Sequence, residues 1–345
     1  MRVLVVKLTS MGDVLHLAPA LTDLRQQYPN AIVDWMVEDS FAEIPAWHPS
    51  VDRVIKVSTR KWRTLNKSSV TEFLAFWKTL RQVRYDVIID AQGLMKSAVF
   101  SRFAKKVKGG MRAGFSGDSI KESPAAKLYS KKVAVDRKLH AVERLRALFA
   151  GSFEYEYSKS TLNYGLTLKQ PAVNNSDTIM LFHGTTWSSK HLPNSVWRDV
   201  AKLIVNDGYK VKLAWGSDVE HERAQWIAEG LSQVSVLPRT NLTDLAQTIN
   251  GIAGAIAVDT GLGHMAAAFG VPCVSIYGST NANLTGAVGQ NQVHIQSQLS
   301  CSPCLLKQCP KLSSTVTEPP CYSANRAGKP MGAERIWQSL YEIIA

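Results

Sequence analysis

Apolar positions along this chain follow two alternating periods. Short unbroken apolar runs, expected of strands buried on both faces, alternate with stretches where apolar residues return every three or four positions, as on a one-sided helix. Residues 3–7 read as the first strand, and Val14, Leu15, Leu17, Ala18, Leu21 and Leu24 as the helix after it, ending near Tyr28-Pro29-Asn30. Residues 32–37 form the next strand and 73–83 an amphipathic helix. A strand over 86–90 stops at Ala91-Gln92-Gly93, and a helix over 94–103 follows. The second half repeats the scheme, with strands at 178–183, 211–215, 234–237 and 255–258 and a last one at 273–277. Helices at 195–207, 219–229, 242–250 and 264–269 lie between them, and Gly208, Gly230 and Gly270 sit at helix ends. Residues 279–330 read as irregular, and 333–344 as a terminal helix.

Strands alternating with helices predict an α/β chain of two doubly wound, Rossmann-like domains with parallel sheets. The expected boundaries are 1–165 and 176–330, joined through the Pro- and Asn-containing stretch 170–176, with residues 331–345 as a closing helix. A length of 345 residues is enough for two cores. No apolar run reaches the roughly 18–20 residues of a membrane span. Residues 1–7 are too short and too charged for a signal peptide, so the cytoplasm is the expected compartment.

Charge separates the two halves. The net charge is +12, yet residues 166–345 carry 13 basic and 12 acidic residues, whereas positions 53–146 carry 23 and 7. The first half is therefore expected to face something anionic: nucleic acid, a membrane surface or an acidic substrate. Its basic clusters include Arg60-Lys61-Trp62-Arg63, Lys105-Lys106-Val107-Lys108 and Arg144-Leu145-Arg146.

Doubly wound domains bind ligands beyond the C-terminal ends of their strands, so the loops there carry the candidate chemistry. Thr9-Ser10-Met11-Gly12-Asp13 follows the first strand; it lacks the further glycines of a dinucleotide fingerprint. Asp13 reads either as a helix N-cap or as a general base. His183-Gly184-Thr185-Thr186-Trp187-Ser188-Ser189-Lys190 offers hydroxyls, amides and a lysine to a diphosphate without P-loop spacing, or is a plain polar turn. Asp259-Thr260-Gly261-Leu262-Gly263-His264 turns a strand into a helix whose N-terminus favours phosphate; capping by Asp259 or Thr260 is the simpler reading. Glu220, in Glu220-His221-Glu222-Arg223, reads from composition as part of a solvated face. Cys301, Cys304, Cys309 and Cys321 crowd one segment, where a structural zinc site, disulfides formed after isolation and free thiols all remain open.

Taken in order, these motifs resemble the bacterial ADP-heptose:lipopolysaccharide heptosyltransferases, most closely the heptosyltransferase I branch, over residues 1 to about 289. The resemblance rests on the opening strand with Ser10-Met11-Gly12-Asp13-Val14-Leu15-His16, on Asp90-Ala91-Gln92-Gly93-Leu94-Met95-Lys96-Ser97-Ala98 and on His140-Ala141-Val142-Glu143-Arg144. His183-Gly184-Thr185-Thr186 with Lys190-His191, then 259–264 and Tyr277-Gly278, extend it. It implies the glycosyltransferase B architecture, two domains facing a cleft, with the last helix crossing back to the N-terminal domain. Asp13 would be the catalytic base and Lys190 would assist departure of the diphosphate. Thr185, Thr186, Lys190, Glu220, Thr240, Asp259, Thr260, Gly261 and His264 would bind ADP-heptose. Lys7, Ser10, Gly12, Arg60, Arg63, Gln92, Lys96, His140 and Arg144 would bind an acceptor, Kdo-lipid A. Two departures stand out: Thr64 replaces a lysine of the enteric branch, and the Cys301–Cys321 segment resembles tails of other heptosyltransferase subgroups.

These assignments imply an inverting, metal-independent transferase with no cofactor and no nucleic-acid partner. It would be a monomer resting on the cytoplasmic face of the inner membrane, with its basic half toward an anionic glycolipid. A heptosyltransferase acting later on the core, or a nucleotide-sugar epimerase of the same fold, is the alternative. A nucleic-acid module on 53–146 lacks any recognised motif.

Overall fold

The computed structural model describes residues 1–64, 67–171, 175–313, 316, 318–322 and 331–345, with the side chains of Arg63 and Thr64 outside that description. The chain divides into two compact units, Met1–Lys169 and Gln170–Ala345. Each unit holds one six-stranded sheet whose paired strands all run parallel.

The first sheet is built from β1 (Arg2–Val6), β2 (Ile32–Glu38), β3 (Arg53–Val57), β4 (Tyr85–Asp90), β5 (Lys106–Phe115) and β6 (Lys131–Val133), in the order β3-β2-β1-β4-β5-β6. Residues Val3 to Val6 are fully buried, which is why β1 reads as an unbroken apolar run and not as an alternating one. The expected first helix is two, Met11–Leu15 and Ala18–Gln27. Pro19, in the first turn of the second, has no N–H to lose there, so the chain restarts a helix instead of continuing one. At the start of the sheet Asp34 is wholly buried. Its charge is met by Arg53 at 2.6 Å, Arg2 at 3.2 Å and the Tyr85 hydroxyl at 2.7 Å, the pairing a buried carboxylate requires.

The second sheet uses β7 (Asn175–Phe182), β8 (Lys210–Leu213), β9 (Val234–Val236), β10 (Ile252–Val258), β11 (Cys273–Tyr277) and β12 (Gln292–Gln296), in the order β12-β11-β10-β7-β8-β9. β11 is therefore not the last strand. β12 lies in the stretch expected to be irregular and pairs with β11 from Cys273–Gln292 to Tyr277–Gln296.

The terminal helix, Ala333–Ile344, forms as expected and turns its apolar face to the core of the second unit. Ile336, Trp337 and Leu340 join the second core, and the Trp337 indole N–H donates to Asp207 at 2.6 Å. Gly254 on β10 lets the helix sit close: a Cβ there would stand 3.1 Å from Leu340 and Ile344.

In both sheets the strand order reverses once, between β1 and β4 and between β7 and β10. The loops after those four strands open away from each other at such a point and leave a crevice. They are the loops singled out from sequence: 7–13 and 91–93 in the first unit, 183–190 and 259–261 in the second.

Candidate active site

In the first unit, Ser10 occupies the N-cap of Met11–Leu15 and Asp13 the third helical position, so Asp13 is not the cap. Its Oδ2 accepts the Ser10 N–H at 3.0 Å and the Ser10 hydroxyl at 2.9 Å, while Oδ1 lies 3.7 Å from Lys7 Nζ. The Lys7 side chain is 7% exposed and that of Asp13 46%. A cation under the loop thus faces a carboxylate that remains open to an incoming hydroxyl. Gly12 lies buried in the same turn.

Gln92 reaches across the switch point from the loop after β4. Its Oε1 accepts the Leu8 and Thr9 N–H groups at 2.9 and 3.2 Å and so fixes the loop leading to Asp13. Asp90 in turn holds Gln92. Fully buried, it accepts the N–H groups of Gln92 and Gly93 and the hydroxyls of Ser97 and Tyr129 at 2.6–3.1 Å. Burial pushes the Asp90 carboxyl up and these four donors pull it back. On the flank, Lys96 Nζ donates to Thr59 Oγ1 at 2.9 Å, Thr59 donates to Glu38 at 2.9 Å, and the Arg60 N–H points at the same carboxylate. His140 caps Ala141–Phe153 and meets His16 edge-on at 5.6 Å. Arg144 lies over the Phe115 ring and donates to the Ser119 carbonyl at 2.6 Å. The structure brings Lys7, Ser10, Gly12, Asp13 and Gln92 into one group, with Lys96 and Arg60 joined through Glu38. Arg63 was expected here too, but its side chain lies outside the described residues. Arg146 belongs to the interior, where Asp23 and Glu143 hold it.

The second unit centres on Asp259, at the end of β10. Its Oδ2 receives Lys190 Nζ at 2.7 Å and the Thr280 hydroxyl at 2.6 Å; Oδ1 lies 3.9 Å from His264 Nε2, and Thr185 donates to its carbonyl at 3.2 Å. Burial opposes ionisation of Asp259, but the bond to His264 and the Lys190 cation outweigh it and hold the carboxyl far below the usual carboxylate range. Lys190 Nζ also sits 4.5 Å over the Trp187 ring. Thr260 is the N-cap of Gly261–Ala268 and Gly261 its first residue, so free N–H groups of this helix stand beside that ammonium. Thr186 is exposed at the same loop.

Glu220 is half-buried at the start of its helix. It receives the Gly216 N–H at 2.7 Å and packs against Gly184, where any side chain would run into its carboxylate. Arg223, which sequence reasoning missed, donates to the His183 carbonyl at 3.2 Å and lies 2.8 Å from His191 Nδ1. Burial, with the Arg223 cation second, brings His191 down to about 4, so it accepts as a neutral ring. Thr240 is exposed between β9 and Leu242–Ile249, and among the described residues no bond joins it to the Lys190 group.

Cys301, Cys304, Cys309 and Cys321 are unpaired thiols lining one pocket with Ser189, Gly278 and Ser279. Burial and the neighbouring thiols push Cys321 up to about 12. Among the described residues no three His, Cys, Asp or Glu side chains are grouped to hold a metal ion. What the cysteine-bearing segment does do is brace the Lys190 turn. The Ser189 hydroxyl donates to the Leu306 carbonyl at 2.5 Å, its N–H to Lys307 at 3.2 Å, and the Leu305 N–H to Ser279 at 2.8 Å. Ser189 lies inside the quoted 183–190 motif, whereas Thr280, two residues past Tyr277-Gly278, was missed from sequence.

The family model for glycosyltransferase family 9 (heptosyltransferase) matches residues 73–314. Lipopolysaccharide heptosyltransferase 1 of Pseudomonas aeruginosa is 45% identical over 316 residues, 90% of this chain and 87% of that protein. The solved structure of E. coli heptosyltransferase WaaC with ADP superposes with a TM-score of 0.82 at 39% identity, covering 86% of this chain and 93% of that one. The same enzyme with ADP-2-deoxy-2-fluoro heptose gives 0.79 at 39% identity, with the same coverage.

Proposed function

This chain belongs to glycosyltransferase family 9, the heptosyltransferases, and we propose that it moves L-glycero-D-manno-heptose from ADP-heptose to a Kdo hydroxyl of Kdo-lipid A. The observation that carries the reading is the pair of switch-point groups: an open carboxylate, Asp13, backed by a buried cation in one unit, and a clamped ammonium, Lys190, beside helix amides in the other.

The acceptor oxygen attacks the anomeric carbon, the bond from that carbon to the diphosphate oxygen breaks, and the configuration inverts. Asp13 takes the hydroxyl proton, while Lys7 and the Ser10 donors hold the carboxylate in place as it does so. ADP departs carrying new charge, which Lys190 and the N–H groups from Gly261 onward stabilise, with Thr185 and Thr186 beside them. Asp259 meets the heptose and keeps Lys190 aimed, His264 secures Asp259, Glu220 faces the ribose and Thr240 the adenine. Arg60, Arg63, Lys96, His140 and Arg144 receive the acidic acceptor, and Gln92 fixes its loop. These charges do the work a divalent cation does elsewhere, so the reaction proceeds without metal or cofactor, and full activity after exhaustive chelation is the expected result. Each unit carries its own set of groups, so a monomer suffices. The acceptor's lipid anchor places the enzyme at the cytoplasmic face of the inner membrane.

The test is transfer from ADP-heptose to acceptors bearing one Kdo, two Kdo or a phosphorylated Kdo. Product with at least one of them is expected, and the pattern identifies the acceptor. No product with any of them overturns the reading.

A further inference from the structure

Large exposed apolar side chains gather on two neighbouring helices of the first unit, Lys67–Leu80 and Met95–Phe103. On the first helix Val70, Phe73 and Leu74 face solvent at 49%, 37% and 60% exposure, at the i, i+3, i+4 spacing of one stripe that Trp77 continues. On the second helix Met95, Val99 and Phe103 form the matching stripe at i, i+4, i+8, and Trp77 meets Phe103 edge-on at 4.8 Å, joining the two. Phe76, Leu80, Ala98 and Ser101 already fill the inward faces, so these stripes are surplus to the core. A contiguous apolar face of this kind marks an interaction site.

The charges around it select the partner. Residues 60–112 carry 13 basic and 3 acidic residues. Of the acids, Asp90 is buried and Asp86 accepts the Arg2 N–H, which leaves Glu72 alone on the helices, against exposed Lys67, Lys78 and Arg102 on them and Lys108 just beyond. An apolar stripe edged by lysine and arginine matches a bilayer that presents acyl chains beneath anionic headgroups. Lys96, on the second helix, reaches Thr59 beside Arg60, so the same face continues into the acceptor-side loops.

We propose that the stripes of Lys67–Leu80 and Met95–Phe103 dock this unit on an anionic lipid bilayer. The proposal rests on the reading of the acceptor as a membrane-embedded glycolipid. The test is flotation of the full chain with vesicles of phosphatidylcholine alone or with phosphatidylglycerol, beside transfer to a soluble, acyl-free Kdo acceptor. The wild type should bind the anionic vesicles in a salt-dependent way. Val70→Ser with Leu74→Gln should lower that binding about tenfold or more, given two side chains withdrawn from lipid. The same double variant should leave transfer to the soluble acceptor within about twofold of wild type. Lys67→Gln with Lys78→Gln should abolish the preference for anionic vesicles, whereas Trp226→Gln on the second unit should change nothing. Unaltered vesicle binding by the double variant overturns the proposal, as does a wild-type chain that ignores vesicles and self-associates through this face. A wild type that docks on vesicles but transfers heptose to no acceptor overturns the functional reading and leaves the docking surface standing.

Discussion

The two switch points use carboxylates in opposite ways. Asp13 is 46% exposed, held by two Ser10 donors and only 3.7 Å from its cation. Asp259 is 8% exposed and receives Lys190 at 2.7 Å and Thr280 at 2.6 Å. A carboxylate that must take a proton needs access and a moderate hold, because every strong donor lowers its basicity. A carboxylate that aims a lysine needs burial and a tight hold. Under the proposed function one residue type serves as base in one unit and as anchor in the other, and the surroundings decide which.

Asp13→Asn keeps the Ser10 contacts but cannot accept the proton, so turnover should fall by about 10²–10⁴-fold, the usual scale of a lost general base. Steady-state rates near wild type would end that assignment. Asp259→Asn leaves the half-buried Lys190 without its counter-charge. Loss of one member of such a pair costs about 3 kcal/mol of stability, and transfer should drop on the order of 100-fold as the ammonium loses its aim. A variant as stable and active as the parent would mean that Asp259 is not the anchor. Ser189→Ala removes the bond from the Lys190 turn to Leu306. A neutral bond of this kind contributes about 1 kcal/mol, so the Michaelis constant for donor should rise severalfold; a change confined to the acceptor constant would contradict the brace.

The mildest contrast is in acid. Burial brings His183 to about 3 and His191 to about 4 in the second unit, and His48 to about 4 in the first. Unfolded histidine titrates near 6.5, so between pH 6.5 and 4 the unfolded chain binds the extra protons. Stability is therefore full above that window and falls as pH drops through it, by roughly 1–2 kcal/mol per histidine at pH 5. Hydrogen exchange at pH 7 and 5 should show the second unit losing more protection than the first, and equal losses would refute the difference.

Much of this was legible in sequence. Continuous apolar strands and glycine-stopped helices fix an α/β chain, and motifs at strand ends pick out the loops that the strand order then brings together. Elements without an apolar signature escaped. β5 hides in Lys106-Val107-Lys108-Gly109-Gly110, where charge and glycine mask a strand whose register shifts between Tyr85 and Val87. β12, Gln292–Gln296, has alternating polar positions at a sheet edge. Arg223 and Thr280 escaped because their partners are distant in the chain, and no local pattern announces a hydrogen bond from 280 to 259. The terminal helix was legible as a helix, yet its periodicity could not say which core would take Trp337.

The division of labour is tested most directly by titrating ADP into Asp13→Asn and Lys190→Ala side by side. The account predicts an ADP dissociation constant within about twofold of wild type for Asp13→Asn and at least about tenfold weaker for Lys190→Ala, the scale of one charge-assisted contact. Equal weakening in both, or none in Lys190→Ala, would contradict it.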